Sequence, residues 1–472
     1  LKSINKVNTM KNITKYILFI GLTIGIVSCD ILNPDTVNDP NSPSEGVVLV
    51  DATKSDLQNL VTGLEADSRS YNAAWTLFGA FGRDLVFFGT SDPNFFTQWL
   101  QLPSNTAPDA EDNNLFFADG SAYESPYGTI RQAALLVEAT NNTSAVTDAE
   151  KNGLIGFANT LKGYQLIWPW LHQGTNGIRV EFDYNEPLNP GPFLSQDAAL
   201  TAMRTILDDA NTNLGNAGSS FPFELTSGYN GFNTPATMQE VNRAIAARLA
   251  VYDEDWQGAL DALDDSFLNL SAATVADLKV GPQHVYAGGN DNLNPFFYPA
   301  NADPNRIIVG SPNWVNAAEA GDGRVDDKLD LRTTPASVTD LPLISANWQE
   351  GRYSSTGSVP FIRNEELMLI YAEANIQLDT PASLASAVTA INTIRTIWGL
   401  AAYAGTVDQP SLINEMLNQR RFSLWGEGHR WADMRRYNRI GSIDTSLDGG
   451  RVATQVGRPQ GEIDWDNFSA SQ

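Results

Sequence analysis

Apolar residues recur at helical spacing in three consecutive segments near the C-terminus, and this constrains the fold more than any other feature. Across residues 364–378, Leu367, Ile370, Tyr371, Ala374 and Leu378 fall on one face. Asn364 is placed to cap this helix, and Glu365 and Glu366 suit its positive N-terminal end. Thr380-Pro381 reads as a cap followed by proline at the first helical position. Leu384, Ala387, Val388, Ile391 and Ile394 supply the next apolar face, and Gly399 is a natural stop. A third helix starts near Pro410 and carries Leu412, Ile413, Met416 and Leu417. Earlier segments repeat the theme. Leu57, Leu60, Val61 and Leu64 share a face, and helical patterns follow over 130–137, 154–170, 200–214, 241–252 and 256–263. No strict repeat is visible, but the spacing suggests helical hairpins of the tetratricopeptide kind. From about 265 to 360 the pattern breaks, with Pro282, Pro295, Pro299, Pro304, Pro312, Pro335 and Pro342 set among Asn and Gly. A structureless loop of that length is uncommon in a compact domain, so short strands and turns are expected there. The expected fold class is mainly α: a tetratricopeptide-like helical hairpin scaffold with a long irregular insert of loops and short strands.

The N-terminus follows a different grammar. Met10-Lys11-Asn12-Ile13-Thr14-Lys15 precedes an apolar run from Tyr16 to Val27, then Ser28-Cys29-Asp30. A basic stub, a short apolar run and a small residue before the cut are the parts of a secretory leader. The run is too short to span a membrane as a helix. Cys29 is the only cysteine, which excludes an intramolecular disulfide framework and a Cys-rich zinc site. Ile26-Val27-Ser28-Cys29 resembles a bacterial lipobox, in which Cys29 becomes the lipidated first residue of the mature protein. The expected organisation is a leader over 1–28, an acidic flexible tether over 29–50, and one domain over 51–472. That domain divides into an N-terminal helical part to about 264, the insert at about 265–360, and a C-terminal helical part at about 361–472.

The charge balance narrows the partners. Fifty-five acids face 30 bases, a formal net charge of −25. The leader holds four lysines and no acid, so its removal leaves −29. Nucleic acid is excluded as a sequence-independent partner, since phosphates need a basic surface. A neutral ligand is favoured over a polyanion.

Two C-terminal segments carry a family resemblance. The first holds Arg363-Asn364-Glu365-Glu366 and Tyr371-Ala372-Glu373-Ala374, followed by Asn392-Thr393-Ile394-Arg395. The second runs Arg420-Arg421-Phe422-Ser423-Leu424-Trp425-Gly426-Glu427-Gly428-His429-Arg430-Trp431-Ala432-Asp433-Met434-Arg435. Together they resemble the SusD/RagB family of Bacteroidota outer-membrane lipoproteins. Ser423 departs from the pattern, standing where the family usually has Glu. Residues 242–249 resemble the family's middle helix. The resemblance implies a surface-exposed lipoprotein, anchored in the outer membrane through Cys29, that captures an oligosaccharide. It implies delivery of that ligand to a SusC-like TonB-dependent transporter. The RagB branch of the family leaves capture of peptides open.

Read on their own chemistry, the same residues are expected to build structure. Arg420, Arg421, Arg430, Arg435, Arg436 and Arg439 form a basic island that either binds an anion or pairs with acids of neighbouring helices, and pairing is the commoner use. Gly426-Glu427-Gly428 should be a tight bend, and His429 a hydrogen-bonded interior residue.

No catalytic residue is assigned. Gly-x-Ser-x-Gly, His-Glu-x-x-His and Walker A signatures are lacking, and nothing implies a cofactor or metal. Asp208-Asp209, Asp264-Asp265 and Asp326-Asp327 are adjacent acids, but a glycosidase needs carboxylates facing each other about 5–9.5 Å apart. A glycosidase therefore stays as a third reading. The Asp322–Asp327 stretch has some calcium-loop character without EF-hand spacing, and a solvated turn is expected.

Eleven Trp, 14 Tyr and 21 Phe remain to be explained. Aromatic faces stack on the C–H faces of sugars, yet the same residues dominate protein cores. Phe95, Phe96 and Trp99, Phe296, Phe297 and Tyr298, Trp314 and Trp348 lie in segments rich in Asn, Pro and Gly. The resemblance implies glycan-contacting aromatics in the loop after the first helical pair and in the insert. Trp99 and Trp314, then Tyr298 and Phe96, are the expected glycan-binding residues. Trp168, Trp170 and Trp398 are expected in the core.

Overall fold

In the computed structural model most residues of the sequence's apolar stripes are buried, although Leu378, expected on the same face as Leu367 and Ile370, is exposed. The structure describes residues 45–103, 110–111, 115, 120–182, 191–289 and 291–469. The leader, Cys29 and most of the tether lie outside the described residues. The tether's expected end is corrected: residues Glu45–Asp51 are helical and Val48 is buried in the core.

Helices of eight or more residues are numbered here in chain order. They are α1 Lys54–Asp67, α2 Asn72–Phe81, α3 Ser125–Asn142, α4 Asp148–Gln173, α5 Gln196–Gly215, α6 Pro235–Tyr252 and α7 Trp256–Asp264. The C-terminal set is α8 Asn364–Leu378, α9 Pro381–Ile397, α10 Gln409–Ser423, α11 His429–Arg436 and α12 Gln460–Ser469. Consecutive helices from α3 to α7 pack pairwise, as do α8 with α9 and α10, which is the expected hairpin scaffold. Among the described residues no helix is long and apolar enough to cross a membrane.

Local chemistry explains the helix ends. Thr147 and Glu150 form a reciprocal capping box at α4, and Thr380 and Ser383 do the same at α9. Pro169 sits inside α4 without ending it, and the flanking Trp168 and Trp170 are buried. Gly163 lets α4 approach α5 closely, since a Cβ there would meet Leu207 Cδ2 at 2.6 Å. The expected cap at Asn364 is corrected. Arg363 is the N-cap residue of α8, and the Asn364 amide instead bonds the backbone of Asn269 and Asp277.

The insert forms short strands and short helices, as its composition suggested. Its main sheet has four strands: β1 Leu85–Gly89, β2 Arg306–Gly310, β3 Leu329–Ser337 and β4 Ser345–Glu350. Their spatial order is β1-β2-β4-β3, all neighbours antiparallel. β1 comes from the N-terminal helical part and pairs with β2 from Leu85 opposite Gly310 to Gly89 opposite Arg306. This long-range pairing ties the insert to the scaffold.

One aromatic cluster joins the three parts of the chain. Tyr71 stacks on Trp168 of α4 at 5.0 Å, and Trp75 of α2 stacks on Phe296 of the insert at 5.7 Å. Phe78 and Phe81 of α2 each lie 4.9 Å from Trp431 of α11. Trp431 Nε1 donates to Ala453 O at 2.6 Å, so its one polar atom is satisfied in the interior.

Burial also sets the response to acid. His172, His284 and His429 are all buried, and burial holds their imidazoles down, to about 3, 3 and 4. The unfolded chain takes up these protons near pH 6.5, while the folded chain resists until far lower pH. Their contribution is therefore complete above about pH 6.5 and lost as pH falls towards about 4. Urea melts should show each histidine withdrawing about 1–3 kcal/mol by about pH 4.5. A midpoint unchanged across that range would contradict neutral burial.

Candidate functional site

Most of the C-terminal arginines are spent on acids and carbonyls; Arg430 makes no hydrogen bond or ion pair among the described residues. Arg363 gives one amino group to Glu365 and the other to Glu427 Oε1 at 2.8 Å and Ser423 O at 2.6 Å. Arg248 on α6 forms a two-pronged pair with Glu366 on α8, both contacts at 2.6 Å. Arg420 donates to Asp433 at 2.8 Å, and Arg436 bridges Glu373 at 2.6 Å and Asp433 at 2.8 Å. Arg421 reaches Asp84, beside β1, at 2.8 Å. Arg435 donates to Leu171 O, and Arg439 to Asn414. Arg248, Arg363 and Arg420 are buried and Arg421, Arg435, Arg436 and Arg439 half-buried, and with their donors engaged they act as a fixed frame rather than an anion site. Burial opposes ionisation of Glu365 and Glu366, yet Arg363 and Lys328 hold the first, and Arg248 the second, below the usual carboxylate range.

Ser423, the residue that departs from the expected Glu, accepts from Arg324 Nη1 at 3.1 Å. Arg324 also grips both oxygens of Asp322, at 2.8 and 2.7 Å, so the calcium-like stretch is an internal ion pair. Gly426 and Gly428 both have positive φ, 72° and 78°, and form the expected bend. His429 is not hydrogen-bonded as expected. It lies 3.9 Å from Glu366, and its side chain makes no hydrogen bond among the described residues.

The expected glycan-binding aromatics are largely interior, which corrects their expected exposure. Trp314 is fully buried in a short helix, Pro312–Asn316. Its ring lies 5.0 Å from Phe422 and 5.5 Å from Trp425, and Nε1 donates to Arg421 O at 3.3 Å. Trp99 is 3% exposed, stacked on Phe87 and edge-on to Phe95. Phe96 is 2% exposed, and Tyr298 is half-buried, with burial raising its phenol above the usual range. In each case the large apolar ring is the part that leaves water, Trp99 against Phe87 of the sheet and Trp314 against Phe422 and Trp425 of the C-terminal part. Trp348 on β4 keeps part of its ring exposed, opposite the exposed Leu331 of β3.

Two of the surface openings border the loops before and after the first strands of the sheet. A groove of about 330 Å³ brings the loop after β1 against the insert, with Thr90, Pro93 and Phe96 on one side. Pro304, Asn305 and the Ser337–Asp340 turn line its other side. Thr90 donates to Asn305 Oδ1 across the join. A second cleft, of about 630 Å³, lies between α1, α3 and the insert, and includes Asp67, Arg69, Gln132, Tyr286 and Asn292. There Arg69 pairs with Asp291 at 2.9 Å and lies 5.1 Å over the Tyr286 ring.

Solved structures share this architecture across most of the chain. A SusD superfamily protein from Bacteroides vulgatus is 15% identical, with 89% of this chain and 93% of that one covered and a TM-score of 0.64. Surface glycan-binding protein A from Bacteroides thetaiotaomicron, solved in complex with laminarihexaose, is 15% identical, with 87% and 97% covered and a TM-score of 0.66. NanU of B. fragilis is also 15% identical, with 90% and 98% covered and a TM-score of 0.62. Residues 344–469, which hold the arginine frame, match the model of the SusD family. Over those C-terminal residues the chain is similar to the SusD family. Comparison of the sequence with curated proteins finds no match.

Sequence reasoning missed Thr90, Asn305 and Asp340 as groove residues. The signal available was the five-residue apolar run Leu85–Gly89, which reads as a buried strand and would have placed Thr90 at its exit. Truncating the interior ring in Trp314→Ala should cost about 3–5 kcal/mol in chemical denaturation. Removing one partner of the buried pair in Arg248→Ala should cost a similar ~3–5 kcal/mol. A loss below about 1 kcal/mol for Trp314→Ala would put that ring at the surface instead.

Proposed function

We propose that this protein is a cell-surface lipoprotein that captures a neutral glycan in the groove between Thr90–Phe96 and Asn305–Asp340. It would pass the ligand to a SusC-like TonB-dependent transporter. The observation that carries this reading is the fold shared along 97% of a surface glycan-binding protein solved with laminarihexaose. The groove's chemistry supports it. Pro93, Pro304 and Phe96 offer apolar faces for sugar C–H groups, while Thr90, Asn305 and Asp340 offer hydrogen bonds to hydroxyls. Trp99 acts from behind, buttressing the loop through Phe95. Tyr298 stands by as a half-buried neighbour of the sheet, and Trp314 serves the core.

A net charge of −25 favours a neutral polymer over pectin, alginate or sulfated chains, and a β-glucan is the specific ligand proposed. Cys29 is the proposed lipid attachment point, each buried methylene contributing about 0.8 kcal/mol of membrane affinity. The affinity comes from contact alone, with no bond made or broken.

Native gels containing laminarin should retard the protein, and gels containing pectin should not. The double variant Asn305→Ala/Asp340→Ala should bind laminarin about tenfold more weakly, the effect of losing roughly 1.4 kcal/mol of hydrogen bonding. Tight binding of oligopeptides without retardation by any glycan would favour peptide capture. Release of reducing sugar abolished by a single carboxylate substitution would instead make the protein a glycosidase.

A further inference from the structure

Lys328 ends the short helix Arg324–Lys328 and is 3% exposed. Its ammonium makes no hydrogen bond and no ion pair among the described residues. A buried amine with three unused donors is costly unless something accepts from it. Burial lowers it first, and Arg363 next, to about 8, while Glu427, Glu365 and Asp327 oppose the shift. Lys328 lines a pocket of about 370 Å³, separate from the groove and from the Arg69 cleft.

The other charges around this pocket are already matched. Lys279 pairs with Asp327, Arg352 with Glu350, and Arg363 with both Glu365 and Glu427. Arg363 thus carries one carboxylate more than it can neutralise, and Lys328 supplies the missing charge from a distance. Four cations and three acids line the pocket, and Glu350, paired with Arg352 from behind the wall, brings the count to four against four, so the surroundings as a whole are neutral. Glu427 accepts from Arg363 through Oε1 only, so its second oxygen makes no hydrogen bond among the described residues. A spare donor group and a spare acceptor therefore share one neutral pocket, together with Gln283, Ser354 and Ser358. An anion would satisfy Lys328 and disturb the charge balance. A pair of hydroxyls satisfies the donor and the acceptor and leaves the balance intact.

We propose that this pocket is a second binding site that takes one neutral polyhydroxylated unit, a monosaccharide or the end of a chain, with Lys328 donating and Glu427 accepting. The site is independent of the groove, so it stands or falls separately from capture of a polymer there.

The test uses the wild-type protein with D-glucose as probe. Acylation of Lys328 by acetic anhydride is followed by peptide mass analysis, with and without sugar. Simple occupancy predicts about tenfold slower acylation at a glucose concentration roughly ten times Kd. Lys328→Met should lose glucose binding by calorimetry while keeping its retardation in laminarin gels. Protection of Lys328 without laminarin retardation would support this site and remove the groove reading; retardation without protection would do the reverse. A Lys328 amine that the reagent cannot reach, or that glucose leaves unprotected, overturns the proposal. Protection by acetate or glycine but not by glucose overturns it as well.

Discussion

The buried ion pairs of the C-terminal helices are the constraint on which the rest of the molecule depends. Arg363 holds Glu365 and Glu427, Arg248 holds Glu366, and Arg420 and Arg436 share Asp433 and Glu373. Such pairs add little net stability over a hydrophobic isostere, but each is strongly destabilising when one partner is lost. The frame therefore demands that α6, α8, α10 and α11 meet in one arrangement. Arg421 extends it to Asp84 beside β1, and Arg352 extends it from Glu350 on β4 to the carbonyl of Trp425. Through those two contacts the position of the insert sheet, and of the groove at its rim, follows from the C-terminal helices.

The heavy aromatic load of an acidic chain finds its explanation mainly in the core. Trp75, Trp168, Trp314, Trp425 and Trp431 are among the largest fully buried side chains. They suit a scaffold in which helices from distant parts of the sequence meet. Rings bridge the gaps between non-adjacent elements; the N–H groups of Trp425 and Trp431 find carbonyls at Asp84 O and Ala453 O, while those of Trp75 and Trp168 are buried without a partner among the described residues. Surface acidity is then compatible with a wholly ordinary interior.

What was legible in the sequence was periodic or local. The 3.6-residue stripes of α8 and α9 and the Thr380-Pro381 cap needed no tertiary information. The Gly426-Glu427-Gly428 bend and the structural use of the basic island were also readable, because fixed spacing and pairing chemistry carry them. Exposure was not readable. Trp99 and Phe96 stand in segments of loop composition, yet burial depends on which distant element covers them. For Trp99 that cover includes Phe87 on β1. Trp314 is covered by Phe422 and Trp425, more than 100 residues away in sequence. The Asn364 cap failed for a related reason, since the loop holding Asn269 and Asp277 competed for its amide. The groove joins Thr90 to Asn305 beside a strand pairing, partners 215 positions apart in sequence and beyond the reach of any local pattern.

The central claim, that this frame presents a glycan groove at the join of β1 and the insert, is tested most directly by a crystal structure with laminarihexaose. The account predicts the oligosaccharide lying between Thr90–Phe96 and Asn305–Asp340, with the Arg363 and Arg248 ion pairs unmoved. A sugar bound only elsewhere on the surface, or one cleaved between two facing carboxylates, would contradict it.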